Sequence, residues 1–297
     1  MTIVPIIKRD YITKLAEEGK RIDGRDFNHY RKIEIETNVV NKAEGSARVK
    51  IGNTQVLCGI KMDIGEPFPD TPKTGVMSTA AEFIPMASPD FESGPPREDA
   101  IELARVVDRG VRESQVIQLD KLCITPAEKV WLVFIDIHIL DYDGNLFDAA
   151  SLAALAALLT TKVPVSRFLK ELSEKDRASW QERLLELYTI PGVDEVPFGV
   201  DEADPKPIKN FPLPMSEPPV SCTAVKINDF VFFDPCFDEE VIADVRLTVA
   251  TDHKGDIRAM QKGRSGSFSK EEIQKVIKGA LDNGQEIRKK LYHSIGK

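Results

Sequence analysis

A chain of 297 residues is long enough for one large or two medium domains, because a single hydrophobic core usually stops growing near this size. Hydrophobic residues make up 42% of the chain and charged residues 30%, which excludes wholesale disorder, a fibrous repeat and a membrane protein. The net charge of -8 excludes a diffuse polycation, so nucleic-acid binding would need a local basic patch or a partner's charge. We expect two domains.

Cysteine and histidine usage argues against a metal site. The four cysteines contain no C-x-x-C pair, and no two of the four histidines have the helical spacing of metal ligands. The apolar run near the N-terminus is too short for a signal peptide, and no stretch approaches the ~20 apolar residues that a bilayer span requires. We therefore expect a cytoplasmic protein with no cofactor, no metal and no membrane partner.

The first half of the chain predicts a sheet with helices. Apolar spacing predicts a helix over residues 10–20, and alternation predicts two or three antiparallel strands over residues 32–62, with a turn at Gly52 and Asn53. Seven prolines make residues 64–97 mostly loop. The remaining predicted elements are a strand near 76–84, a helix over 98–114, a buried strand within 122–140 and an alanine-rich helix over 149–159.

The second half repeats the order of strands followed by a helix. A charged amphipathic helix is predicted over residues 170–188, and eight prolines mark residues 189–219 as a linker. Strands are predicted at 221–227, 230–234, 244–251 and 257–262, and a helix at 270–291. The predicted α+β chain thus divides into an N-terminal helix with the segment after it (1–30), a first domain (31–165), a helix and proline-rich linker (166–219), and a second domain with the C-terminal helix (220–297).

The helix over residues 98–114 carries a basic stripe. At 100° per residue, Arg105, Arg109 and Arg112 fall within a narrow sector opposite the apolar face. Such guanidinium groups can each bind phosphate oxygens of a single nucleic-acid strand. The alternative is a solvated face with ion pairs, because Glu102 to Arg105 and Asp108 to Arg112 have the spacing of intrahelical pairs.

Two acidic clusters follow predicted strands. Carboxylates there can hold Mg²⁺ or act as general acids, although they also serve as loop caps. The clusters comprise Asp141, Asp143 and Asp148, and then Asp234, Asp238, Glu239, Glu240 and Asp244. In the central buried strand, Trp131 and Phe134 are predicted to be core residues. His138, between Ile137 and Ile139, alternates with the buried face and is predicted to be a structural residue without an obvious carboxylate partner.

Several motifs in one order resemble the RNase PH-type phosphorolytic exoribonucleases. They are RIDGR at 21–25, RKI at 31–33, GSA at 45–47 with GNTQV at 52–56, DYDG at 141–144 with the alanine-rich helix, and MQKG at 260–263 with FS at 268–269. Within that family, SGPP at 93–96, AIELARVVDR at 100–109 and RLTVAT at 246–251 are most similar to the non-catalytic RNase PH-like subunit of the archaeal exosome. The resemblance implies an RNase PH fold of duplicated βα units of the ribosomal protein S5 domain 2-like type.

The same resemblance implies a ring in which three such subunits alternate with three catalytic RNase PH-like subunits, capped by RNA-binding proteins. Catalytic relatives follow the acidic turn with Gly-Thr-Arg, which holds the attacking phosphate, whereas this chain has Asn145, Leu146 and Phe147. A leucine and a phenylalanine donate no hydrogen bond to phosphate. Asp234 matches the first catalytic carboxylate of the family, and Glu240 stands in place of the second.

Three functions remain open from the sequence. We favour a non-catalytic ring subunit that structures a neighbour's active site in 3′-5′ phosphorolytic RNA degradation and binds RNA through Arg105 and Arg109, with Arg112 as a weaker third contact. The alternative is an independently active phosphorolytic 3′-5′ exoribonuclease, against which residues 145–147 argue. The third is a structural spacer that does not contact RNA.

Overall fold

The computed structural model describes residues 3–168 and 210–296. The described part of the chain forms two sheets with helices packed on them. The predicted helix at residues 170–188 and most of the predicted linker lie outside the described residues. The helices are α1 (Ile3–Glu17), α2 (Glu98–Glu113), α3 (Leu146–Thr160), α4 (Val165–Phe168), α5 (Phe237–Ile242) and α6 (Lys270–Ser294).

The first sheet has six strands in the order β1-β2-β3-β6-β4, with β5 paired to β6. All pairs are antiparallel except β4 with β6, which run parallel. Its strands are β1 (Ile33–Thr37), β2 (Gly45–Ile51), β3 (Thr54–Gly65), β4 (Val76–Phe83), β5 (Cys123–Thr125) and β6 (Lys129–Asp141). Helix α2 packs on β4, and α3 packs on β2 and β3.

The second sheet has four antiparallel strands in the order β10-β9-β11-β12. They are β9 (Val220–Ile227), β10 (Phe230–Phe233), β11 (Val245–Thr251) and β12 (Ile257–Gly263), while β7 (Lys162–Val163) pairs with β8 (Phe211–Pro212) in a small ribbon. Helix α6 covers β9 and β11, and α2 reaches β12. The predicted order of strands followed by a helix is therefore present in both halves.

One apolar core runs through both sheets. Helix α3 lies at its centre, with small side chains that let it approach β2, β3 and β9 closely, and it is buried along nearly its whole length. A smaller cluster joins α1 to the second sheet, where Ile12 and Ala16 pack against Val225, Ile227 and Phe232. The N-terminal helix thus packs against the second half of the chain.

Three sequence-based expectations about local structure were wrong. Helix α1 begins at Ile3 rather than at residue 10, because Pro5 lies in the first turn, where the missing N–H has no helical partner. Strand β6 alternates between faces: Trp131 is fully buried, but Phe134 is 37% exposed on the outer face. His138 lies on that same outer face and does have a carboxylate neighbour, because its Nδ1 is 3.3 Å from Oε2 of Glu82 on β4.

Candidate functional site

Helix α2 exposes one basic edge, the arginine stripe, which consists of Arg105, Arg109 and Arg112. All three residues are exposed, while Leu103, Val107 and other apolar residues of α2 are buried against the first sheet. The helix follows the proline pair at residues 95–96, and acidic residues in its first turn complement the helix dipole. The structure therefore places the three predicted arginines on one solvent-facing surface.

The three arginines differ in what they contact. Arg112 donates from Nε and Nη2 to the two carboxylate oxygens of Asp108, each at 2.9 Å, and also to a backbone carbonyl of β4. Arg109 donates to Oε1 of Gln261 on β12. Arg105 makes no hydrogen bond or ion pair with residues of the described segments. Arg105 and Arg109 thus carry charges that no carboxylate neutralises in this part of the chain.

Of the two intrahelical pairs named in the sequence analysis, Glu102 with Arg105 and Asp108 with Arg112, only the second forms. Asp108 pairs with Arg112, whereas Glu102 does not pair with Arg105. Oε1 of Glu102 instead accepts a hydrogen bond from Nη2 of Arg246, on β11, at 2.5 Å. The interpretation of the stripe as a solvated face with ion pairs therefore holds for Arg112 alone.

The loop at residues 145–147, which the resemblance aligns with the phosphate loop, is buried. Asn145 has φ 57°, a left-handed conformation that asparagine tolerates, and Leu146 and Phe147 begin α3 with 6% exposure each. The guanidinium carbon of Arg246 lies 3.7 Å from the centroid of the Phe147 ring. The side chains of Leu146 and Phe147 have no donor for a phosphate, and Arg246 covers the face of the Phe147 ring.

Asp234, aligned with a catalytic carboxylate of the family, is fully buried and fully paired. Oδ1 accepts hydrogen bonds from Nη2 of Arg31 and from Nδ2 of Asn145, both at 2.8 Å. Oδ2 accepts from Nη1 of Arg25 and from the backbone N–H and Nε of Arg31, at 2.8–2.9 Å. Burial alone would raise the pKa of Asp234, but hydrogen bonds and charge from Arg31 outweigh it and lower the pKa. An ionised carboxylate without a free oxygen is a poor general acid.

Asp148 joins α3 to the second sheet. Its Oδ2 accepts from the hydroxyl of Tyr30 at 2.7 Å, from Nδ2 of Asn145 and from the backbone N–H of Thr223, both at 2.9 Å. Its Oδ1 lies 2.7 Å from the hydroxyl oxygen of Thr223. Burial raises the pKa of Asp148 to about 6 even though these donors favour the charged form.

The remaining acidic groups of the second cluster also have structural partners. Glu239 forms a bidentate pair with Arg21 at 2.6 and 2.9 Å, and both side chains are fully buried. Glu240 accepts from the backbone N–H of Asn145 at 2.8 Å, and burial raises its pKa above the usual value. Asp244 accepts two hydrogen bonds from Arg9. These residues tie distant segments together, as loop caps do.

Neither a metal site nor a membrane-spanning helix is found in the described residues. No group of three or more His, Cys, Asp or Glu side chains within 3–168 and 210–296 could hold a metal ion. No helix in these ranges is long and apolar enough to cross a bilayer.

A cleft of about 470 Å³ opens beside Phe147 and Arg246, and Arg264 on its wall donates to the carbonyls of Val241 and Ala243.

Sequence comparison decides the family. Residues 29–164 match the 3′ exoribonuclease family, domain 1, and residues 217–283 match domain 2 of the same family. The chain belongs to the 3′ exoribonuclease (RNase PH) family. The resemblance inferred from its motifs is thereby confirmed, and so is the RNase PH fold.

Several archaeal proteins match the chain over nearly its full length. A protein named Exosome complex component Rrp42 from Thermococcus gammatolerans is 50% identical, covering 98% of this chain and 96% of its own length. One with the same name from Methanocella arvoryzae is 48% identical, covering 97% of each. A solved structure described as the Archaeoglobus fulgidus exosome with RNA bound to the active site contains a chain that is 42% identical, with a TM-score of 0.82 and 97% and 99% coverage.

Sequence reasoning missed two residues that contact α2, Gln261 as the partner of Arg109 and Arg246 as the partner of Glu102. Gln261 and Arg246 contact α2 from strands that lie more than 140 residues further along the chain. A signal for Arg246 was available, because it is a charged residue inside a strongly apolar strand and buried charges require partners.

Proposed function

We propose that this chain is a non-catalytic subunit of an exosome ring that structures the active site of a catalytic RNase PH-like neighbour and contributes to RNA binding. The observation that carries the proposal is the buried loop at residues 145–147, where Nδ2 of Asn145 is already bound by Asp148 and Asp234 and the side chains of Leu146 and Phe147 have no donor for phosphate. Phosphorolysis requires an inorganic phosphate held in line with the scissile bond. The names of the archaeal relatives support the same function.

The assembly we propose contains three copies of this chain alternating with three copies of the catalytic RNase PH-like subunit, with RNA-binding cap proteins on one face, in the cytoplasm. Support comes from the relative that is described as part of an exosome with bound RNA. The proposed chain division is a first domain at 31–165 and a second at 220–297, close to the two family matches.

Within this assembly, Arg105 and Arg109 contact RNA phosphates, and Arg112 is a weaker third contact. Arg105 and Arg109 are exposed and lack a carboxylate partner in the described residues, so they can form charge-assisted hydrogen bonds without first breaking an ion pair. Arg112 has two of its nitrogen atoms engaged by Asp108.

The test is charge reversal in a ring reconstituted with the catalytic subunit. Arg105→Glu with Arg109→Glu should weaken RNA binding by a few kcal/mol, because each charged hydrogen bond contributes roughly 1.5–3 kcal/mol and two repulsions are added. Binding of the variant should also depend less steeply on salt concentration. Lys289→Glu with Lys290→Glu, on the exposed face of α6, makes the same change in net charge and should leave RNA binding close to that of the parent ring.

Two results would contradict the proposal. RNA affinity and salt dependence that match the parent after reversal of the stripe would leave the structural spacer as the better interpretation. Phosphate-dependent release of nucleoside diphosphates by the isolated chain would establish the independent exoribonuclease instead.

A further inference from the structure

We propose that Arg246 is a positioning residue for RNA binding: by holding the carboxylate of Glu102, it keeps Arg105 available for a phosphate. This inference rests on the proposed function, in which Arg105 contacts RNA. The contact connects β11 to α2 and spans 144 residues of sequence.

The sequence of α2 by itself would neutralise Arg105. Glu102 lies three residues before it and Asp108 three residues after it, and oppositely charged side chains at this spacing pair on a helix surface. In the folded chain, both carboxylates are bound by other arginines. Asp108 is bound by Arg112 and also accepts from the hydroxyl of Thr79 at 3.2 Å. Glu102 is bound by Arg246.

Arg246 is well placed to retain Glu102 in competition with Arg105. Its side chain is only 8% exposed, whereas Arg105 is exposed, so the Arg246 pair is screened less by water. The guanidinium plane is fixed by the Phe147 ring on one side. Gly263, the cross-strand neighbour of Arg246 on β12, also lies against the guanidinium, since a Cβ atom there would come within 2.4 Å of Nη2. A buried arginine that lost Glu102 would keep its charge out of water, which disfavours exchange of partners.

The loop at residues 145–147 thus has a structural role in a subunit that does not bind phosphate. Phe147 occupies the position that the resemblance gives to the phosphate arginine, and its ring supports the guanidinium of Arg246. Phe147, whose side chain cannot bind phosphate, thus supports Arg246, and Arg246 keeps the carboxylate of Glu102 away from Arg105.

The experiment separates this role from simple support of the fold. Arg246→Met keeps an apolar side chain of similar length on Phe147 but releases Glu102. In the reconstituted ring we expect RNA affinity to fall roughly threefold to tenfold, with a weaker salt dependence, because the freed carboxylate pairs with Arg105 and repels phosphate. Adding Glu102→Gln to Arg246→Met should restore affinity, since the competing charge is gone. Arg246→Lys should stay near the parent.

A matched control removes the effect of net charge. Arg246→Met with Glu286→Gln has the same net charge as the rescued double variant, but Glu286 is an exposed residue of α6, away from the surface of α2 that carries Arg105. This control should remain weak. Equal rescue by both glutamine substitutions, or rescue by neither, would overturn the positioning role, and so would an Arg246→Met ring with parental affinity.

A surface variant gives an answer even if Arg246→Met does not fold or assemble. Ile101 is 49% exposed and lies four residues before Arg105, so Ile101→Glu adds a carboxylate that Arg246 cannot hold. It should weaken RNA binding as Arg246→Met does, whereas Ile101→Gln should not; parental affinity of Ile101→Glu would overturn the inference. Arg105→Gln separates the two proposals. Parental RNA affinity of this variant would refute the contact of Arg105 with RNA. Weak binding by Arg105→Gln together with parental binding by Arg246→Met would refute only the positioning role of Arg246.

Discussion

Replacing Asp148 by asparagine should change how the stability of the isolated chain depends on pH. Asparagine has the same shape and can keep the contacts: its carbonyl oxygen takes the position of Oδ2, which accepts from Tyr30, Asn145 and the backbone of Thr223, and its NH₂ group can donate to the Thr223 hydroxyl oxygen. The substitution therefore removes the titrating group while leaving the hydrogen-bond network in place.

The size of the effect follows from the raised pKa of Asp148. The carboxyl has an ordinary pKa of 3.8, and in the folded chain the pKa is about 6. Below pH 3.8 the group is protonated in both states. Between pH 3.8 and about 6 the folded chain holds the proton more tightly, so its stability falls as the pH rises, and the loss is complete above the folded pKa. This difference in pKa corresponds to roughly 3 kcal/mol.

The assay is urea unfolding of parent and Asp148→Asn chains at intervals between pH 4 and pH 7.5. We expect the free energy of unfolding of the parent, relative to the variant, to decrease by roughly 2.5 kcal/mol across this range, because the remainder of the effect develops below pH 4. Asp148→Leu is the control for the hydrogen bonds: it leaves the Tyr30 and Thr223 donors unpaired and should be destabilised at every pH. A constant difference between parent and Asp148→Asn, or one that grows in the parent's favour with pH, would refute the assignment of the raised pKa.

Two further predictions concern buried contacts. Glu239→Gln leaves the Arg21 charge buried without its anion and should reduce the free energy of unfolding by about 3–5 kcal/mol, and a loss below about 1 kcal/mol would contradict the burial of the pair. Gly144→Ala should cost about 2–4 kcal/mol, because φ is +87° and a Cβ would lie 2.5 Å from the backbone carbon of Cys236. Gly19 also has a positive φ, +72°, but no atom lies within 4 Å of a Cβ placed there, so Gly19→Ala measures the conformational cost alone. Equal losses of stability for the two variants in thermal unfolding would contradict the steric crowding at Gly144.

The elements of the fold were largely predictable because apolar periodicity changes clearly along the chain. The helix at residues 98–114 and the strand near 76–84 were found within a residue or two of α2 and β4. The short helix α5 was missed, since six residues give too few turns for a period and its acidic residues suggested a loop. Phe134 was assigned to the core although it is partly exposed, because the alternation of β6 defines two faces but does not show which one is covered.

The candidate site was predictable only along one element. Spacing within α2 identifies Arg105, Arg109 and Arg112 as one stripe, and it offers Glu102 and Asp108 as partners. The spacing cannot show which partner each carboxylate takes, because Arg246, which competes with Arg105 for Glu102, lies on a strand in the second half of the chain. Pairings between residues so far apart depend on how the sheets pack, and a single sequence does not carry that information.

The buried polar contacts between the halves bear on the order in which the protein can fold during its synthesis. Asp234 is the partner of Arg31 but is made 203 residues later, an interval of roughly 10–40 s at 5–20 residues per second. Until then Arg31 lacks its carboxylate partner, Asn145 lacks one of its two carboxylate acceptors, and Asp148 lacks the two hydrogen bonds from Thr223. The N-terminal half therefore reaches its final packing only when the last third of the chain has left the ribosome.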